Sequence, residues 1–326
     1  LPGGSYNILI TVTDGSDQRN KYLPVTLLEV PVRMDGYIVV TGQQMFESVI
    51  SRLNPAFESD TQFIIPENYL LSGVHSGWGT FFFVSQAPSR LMALNTLDFE
   101  KDWEMSAEPP ASLFTGIFLD DDLVFSTGNG DCGILSPDGT IILRTAPTPD
   151  KSIQLISADE TFIYTSVVSS GGTVRELRVI YRVSGNARDD VPVQGEIKSL
   201  IPADGNVIVF FEINTGTRIM EYAPNDMIMT ELNMLTNERI QSALKISDSE
   251  IMMLTDKNVI SYDLSSSRFT AFKDQPYDFC RYERQSDRLY LVKDSTIYGF
   301  DRLSGDLVTE KSFPMKVLDF QILYNK

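Results

Sequence analysis

The chain has 326 residues, 42% hydrophobic and 10% aromatic, enough to bury a substantial core in one large domain or two ordinary ones. Asp and Glu outnumber Lys and Arg by 44 to 27, a formal net charge of −17, and basic residues never cluster beyond a pair, so the surface repels phosphate backbones and argues against nucleic acid as a partner. Apolar runs such as FIIP fall far short of the roughly 20 residues of a membrane-spanning helix, and two cysteines, Cys132 and Cys280, cannot build a disulfide framework or a four-cysteine zinc site.

Residues 1–30 open with SYNILITVTD, which alternates apolar and polar residues; a polar loop and a second strand, KYLPVTLLEV, follow. Residues 31–326 follow a different grammar. GYIVVTG, ESVISRL and TQFII read as second, third and fourth strands of a four-stranded meander whose first strand is absent. After an irregular loop around residues 66–78 comes a less regular unit, GTFFFVS and RLMALN, with Trp103 in its last strand.

The next unit reads LFTGIFL, DLVFSTG, CGILS and TIILRT. A fourth reads IQLISA, TFIYTSVV, ELRVIYRV and a final strand near PVQGEI, and a fifth KSLIPA, NVIVFFEI, RIMEYA and IMTELN. The Met-rich run NDMIMTELNML, residues 225–235, reads as core followed by a loop, or as an adaptable contact surface. The last two units repeat each other: shifting RLYLVKDSTIYGFDRLSGDLVTEKS back by 38 residues aligns Asp294 with Asp256, Ile297 with Val259, Phe300 with Tyr262 and Asp301 with Asp263.

The chain ends in KVLDFQILYN, residues 316–325, a first strand with nothing after it. Each end supplies what the other lacks. The expected fold is all-β: a seven-bladed β-propeller, residues 31–326, whose ends join in one blade, with residues 316–325 completing the blade begun at Gly36.

Tyr6 with LITVTD resembles the last hairpin of a PKD or immunoglobulin-like sandwich, in which a tyrosine caps the corner before the penultimate strand. Residues 1–30 are too few for the sandwich of about 100 residues, so either the earlier strands lie outside this sequence or the hairpin packs against the ring. A PKD-like ending that runs into DGYIVV and a propeller is similar to the PKD-like lipoproteins of Bacteroides-type bacteria. That family is carried on the cell envelope, often beside glycan-uptake systems. The resemblance implies an exported, extracytoplasmic protein, periplasmic or on the outer membrane, tied to the membrane only through an N-terminal lipid anchor. The sequence begins at Leu1, without Met and part-way through a domain, so that anchor is expected upstream. The resemblance supplies no catalytic residues.

His75 is the only histidine, which leaves one possible base for a nucleophilic triad and rules out multi-histidine metal sites. Its setting, PENYLLSGVHSGWG, brings Tyr69, His75 and Trp78 into one segment, with Trp103 in the unit that follows. Aromatic faces stack on the apolar side of a sugar and an imidazole bonds its hydroxyls, so these four residues form the candidate glycan contact; the plainer alternative is a solvated histidine and tryptophans that fill the core. The acidic stretches LDDDL, DGSD and GNGDCG lack the calcium-loop spacing and read as turns. Quinone-binding propellers carry a Trp near the end of each blade, and two tryptophans are too few. Cys132 and Cys280 fall in non-neighbouring blades and are expected as free thiols, Cys280 in the core.

The reading is therefore a monomeric, non-catalytic binding or scaffolding module without metal or cofactor, whose partner is a glycan or an envelope protein in polysaccharide uptake. The rival is a carbohydrate-active enzyme that uses Asp or Glu in the propeller channel.

Overall fold

A computed structural model describes residues 4–13, 18–27, 32–43, 47–66, 70–75, 80–86, 89–106, 114–119, 122–127, 130–136, 138–148, 151–169, 171–172, 174–203 and 205–325. Strands β1 (Gly4–Thr13) and β2 (Gln18–Leu27) pair as an antiparallel hairpin, with Ile8 opposite Leu23 and both exposed. Then come β3 (Met34–Gln43), β4 (Glu47–Leu53) and β5 (Ser59–Pro66); β6 (Leu70–His75), β7 (Thr80–Gln86), β8 (Ser89–Asn95) and β9 (Lys101–Ser106); and β10 (Phe114–Leu119), β11 (Asp122–Thr127), β12 (Cys132–Leu135) and β13 (Ile141–Arg144). They continue with β14 (Lys151–Ala158), β15 (Phe162–Ser169), β16 (Arg175–Tyr181) and β17 (Ala187–Pro192); and β18 (Glu196–Ala203), β19 (Asn206–Ile213), β20 (Gly216–Ala223) and β21 (Ile228–Thr236). The last are β22 (Ile240–Lys245), β23 (Glu250–Thr255), β24 (Val259–Asp263) and β25 (Arg268–Lys273); β26 (Phe279–Glu283), β27 (Arg288–Lys293), β28 (Thr296–Asp301) and β29 (Leu307–Ser312); and β30 (Lys316–Tyr324).

After the hairpin, the described residues form seven four-stranded sheets. The first has the order β30-β3-β4-β5, joining the end of the chain to its beginning, and the other six are consecutive meanders. The first strands of successive sheets touch, β30 with β6, β10 with β6, β14 with β10, β18 with β14, β22 with β18 and β26 with β22, and β26 touches β30 in turn. The sheets therefore close into a ring.

Strand parity explains the packing. On β19, Val207, Val209 and Phe211 share a buried cluster with Phe162, Tyr164 and Val179 of the preceding sheet, whereas Ile208 and Phe210 share one with Ile251, Met253 and Tyr262 of the following sheet. Successive side chains on a strand point to opposite faces, so a second strand covered on both faces must be apolar throughout. β23 (EIMMLT) and β27 (RLYLVK) obey the same rule. The junction between last and first sheets is aromatic: Tyr37 stacks on Phe57 at 4.2 Å and on Phe320 at 5.2 Å, with Tyr290 edge-on at 5.6 Å. Outer strands such as β29 are largely exposed and carry charged residues, here Glu310 and Lys311, which discourages edge pairing.

Three readings from the sequence are corrected. Residues 70–75 are not loop but β6, which Ser72, Gly73 and the bulge between Leu70 and Ser72 disguise by breaking the alternation. The last strand of the fourth unit is Ala187–Pro192 rather than PVQGEI, because this edge strand is charged (ARDDVP) and has one partner. The Met-rich run is a turn followed by the outer strand β21, with Met227, Ile228 and Met234 exposed rather than in the core.

Candidate functional site

In a four-stranded meander the hairpin between second and third strands and the connection to the next sheet fall at one end. On the fifth and sixth sheets this end is locked by side chain and backbone. Gly216 opens β20 at φ 145°, and a Cβ there would lie 2.1 Å from the Leu235 carbonyl oxygen, so only glycine lets the hairpin tip reach the connection. Asn237 N–H donates to the Thr215 carbonyl at 2.8 Å, and the Thr217 hydroxyl donates to the Glu238 carbonyl at 2.9 Å while accepting from Ile240 N–H at 2.8 Å. The Glu238 carboxylate accepts from the Thr255 hydroxyl at 2.8 Å and the Asn258 amide at 3.1 Å, tying on the next hairpin.

Charged side chains stand on this support. Lys198 Nζ lies 2.6 Å from Glu196 and 3.3 Å from Glu212; Arg175 reaches Glu196 at 3.7 Å, and Arg239 reaches Glu212 at 3.9 Å. Burial pulls Lys198 down, but its hydrogen bonds to Glu196 and Glu212 outweigh that and hold the ammonium above its ordinary pKa. A cavity of about 510 Å³ opens between the fourth and fifth sheets, lined by Arg175, Glu196, Glu212, Asn214 and Arg218. Beyond the hairpin tip a second, also about 510 Å³, is lined by Thr215, Asn237, Arg239, Asp256 and Lys257. With guanidinium, ammonium, carboxylate and amide groups on a rigid base, this end can hold a polar partner by ion pairs and hydrogen bonds.

Of the residues singled out by sequence, Tyr69 and Trp78 lie outside the described residues. His75 ends β6 opposite Phe81. Trp103 sits on β9 opposite Ala93, half-buried against Leu91, Leu123, Phe125 and Leu135, and its indole covers Gly139, where a Cβ would come within 2.8 Å. The row Trp103, Ala93, Phe82, Val74 puts it three strand spacings from the neighbour of His75, roughly 14 Å at about 4.8 Å each. Sequence reasoning missed Arg175, Lys198, Glu212, Arg218 and Arg239; the one signal was a charge beside each Gly- or Asn-containing turn, in GEIK and INTGTR.

The acidic stretches act within turns where they are described. Asp131 of GNGDCG is buried, accepts from the Thr127 hydroxyl and pairs with Arg144 at 2.6 Å. Burial pushes both Cys132 and Cys280 thiols up to about 12, which makes them poor nucleophiles.

No family model matches the chain, and no curated protein matches it in sequence. Solved structures do match. BamB from Moraxella catarrhalis aligns with a TM-score of 0.56 at 9% identity over 89% of this chain and 93% of that one. Apo AztD from Citrobacter koseri aligns with a TM-score of 0.60 at 10% identity, over 86% and 83%. The chain is a β-propeller. The dihydro-heme d1 dehydrogenase NirN, solved in complex with DHE, also aligns on this propeller, with a TM-score of 0.60 at 12% identity over 88% and 75%. At such identities the likeness concerns the fold alone, and a fold that includes a dehydrogenase leaves function to the site.

Proposed function

We propose that this seven-sheet ring is a seven-bladed, non-catalytic binding or scaffolding module of the bacterial cell envelope, presenting its hairpin end to a glycan or an envelope protein in polysaccharide uptake. Under this reading residues 1–30 close a PKD-like sandwich, and a lipid anchor upstream holds the monomeric protein outside the cytoplasm. The observation that carries it concerns the acids. Among the described residues, each carboxylate whose pKa is displaced is displaced downward: Asp190 by Arg178, Asp287 by Arg302, Glu104 by Lys101, Asp248 by Lys245, and Asp138, Asp263 and Asp301 by hydrogen bonds within turns. A glycosidic general acid needs the opposite shift, so these acids hold structure or partners.

The test is to screen the purified protein against soluble polysaccharides and envelope extracts for binding and, in parallel, for released sugar. Retention without product supports the module; multiple turnover, abolished by one Asp or Glu substitution, supports the enzyme. Trp78→Ala tests the alternative contact set Tyr69, His75, Trp78 and Trp103 expected from the sequence: loss of retention at unchanged stability supports that set in place of the hairpin end.

A further inference from the structure

A third cavity opens at the hairpin end, between the sixth and seventh sheets, and differs in chemistry from the two described above. It measures about 510 Å³ and its lining includes Gln275, Tyr277, Lys293, Thr296, Tyr298 and Phe300. Its floor is aromatic: Tyr277 and Phe300 are buried, and Tyr298 is half-buried, edge-on to Tyr277 at 6.0 Å and nearly parallel to Phe300 at 6.4 Å. The floor is also fixed. Lys273 Nζ sits 4.0 Å from the centre of the Phe300 ring and donates to the Gly305 carbonyl at 2.7 Å, clamping the aromatic group.

Polar groups ring this floor at several heights. The Gln275 amide donates to the Tyr277 hydroxyl at 2.6 Å, Lys293 Nζ approaches the Gln275 carbonyl oxygen at 3.4 Å, and Thr296 shares a hydrogen bond of 2.9 Å with Ser312. The Tyr298 hydroxyl has no hydrogen-bond partner among the described residues. Both linings are neutral overall, but this one carries a single cation, Lys293, and a single anion, Asp294, against two arginines and two glutamates in the first cavity. A concave site with aromatic faces, several neutral donors and acceptors and no net charge suits a ligand with one apolar face and many hydroxyls.

We propose that this cavity is the saccharide-binding site of the protein, taking a neutral pyranose unit with its C–H face on Tyr298 and its hydroxyls on Gln275, Lys293 and Thr296. The inference rests on the binding-module reading and narrows it to one ligand class and one place, apart from the segment around His75.

Affinity electrophoresis in gels containing laminarin, dextran, mannan or arabinogalactan tests it on the intact chain. The wild type is retarded by at least one of the four, and Tyr298→Ala weakens that interaction about tenfold or more, equivalent to 1.4 kcal/mol. Because Tyr298→Ala touches the junction core, Lys293→Ala and Thr296→Ala accompany it, each with a severalfold loss at unchanged melting temperature, and Asp226→Asn, on the exposed turn before β21, serves as a control that binds like the wild type. Equal retardation of all variants overturns the site while leaving the binding-module reading intact. Retardation of the wild type by none of the four overturns the inference, and the broader reading then rests on an envelope-protein partner.

Discussion

The hydroxyls of Tyr37 and Tyr290 lie 2.6 Å apart inside the protein although 253 residues separate them in the chain. Burial first, and then this bond, drives the Tyr37 phenol far above its ordinary range, so it stays protonated at any working pH. Tyr290→Phe strands the Tyr37 hydroxyl without a partner and is expected to cost about 1–3 kcal/mol. The double variant with Tyr37→Phe regains part of that loss. Urea unfolding of the three proteins checks it: equal costs for single and double variants would show that the bond is idle.

Deleting residues 316–326 removes β30 and exposes the whole edge of β3, a template for association. Loss of cooperative melting and appearance of oligomers in size-exclusion chromatography are expected. A truncated protein that remains monomeric with the same melting temperature contradicts closure through β30.

Tyr262 is fully buried and its hydroxyl has no hydrogen-bond partner among the described residues. Its counterpart in the neighbouring repeat, Phe300, has dispensed with the hydroxyl. Tyr262→Phe therefore removes a desolvated polar group and is expected to be neutral or to stabilise by up to about 1 kcal/mol. A loss of stability in thermal melts refutes this.

Asp190 and Asp287 are held below their ordinary pKa chiefly by hydrogen bonds from Arg178 and Arg302. A depressed folded-state value means the stabilisation is complete above the unfolded value near pH 3.9 and is lost as pH falls through the lower folded value. Asp287→Asn is expected to flatten the decline of melting temperature below about pH 4. The effect is modest at both sites, because the Asp190 and Asp287 side chains are 36% and 33% exposed and solvent screens each pair.

With their thiols at about 12, Cys132 and Cys280 are expected to resist iodoacetamide in the native protein at pH 8 and to react in urea. Intact-mass spectrometry reads the difference. Modification at native conditions on the timescale of the unfolded control would show that either residue is exposed.

Much of the ring was legible because its turns use side-chain chemistry that repeats. Asp263 accepts from the N–H groups of Ser265 and Ser266, and Asp301, 38 positions on, accepts from those of Leu303 and Ser304. A carboxylate two residues before the donors is a local motif, visible without the fold. β6 was hidden because alternation fails where Ser72 and Gly73 replace branched apolar residues, and β17 because an edge strand with one covered side tolerates Arg188, Asp189 and Asp190. The clefts were invisible for a different reason. Tyr277 lies in the connection before β26 and Tyr298 on β28, and Arg175 and Lys198 belong to neighbouring sheets while Arg239 lies in the connection before β22, so only the turning of the ring assembles them.

The order β30-β3-β4-β5 has a consequence for synthesis. β3 is among the first strands of the ring to be made, and its partner β30 is the last strand of the ring. At roughly 5–20 residues per second, translation leaves that edge unpartnered for a time on the order of tens of seconds. During this interval the nascent chain is a string of finished sheets with one open flank, and the edge of β3 that pairs with β30, from Met34 to Gly42, has no intramolecular partner. The ring thus has a seam that shuts only after β30 has been made, and a chaperone that shields a bare strand edge during that wait would govern the yield of the folded protein without contributing to its final stability.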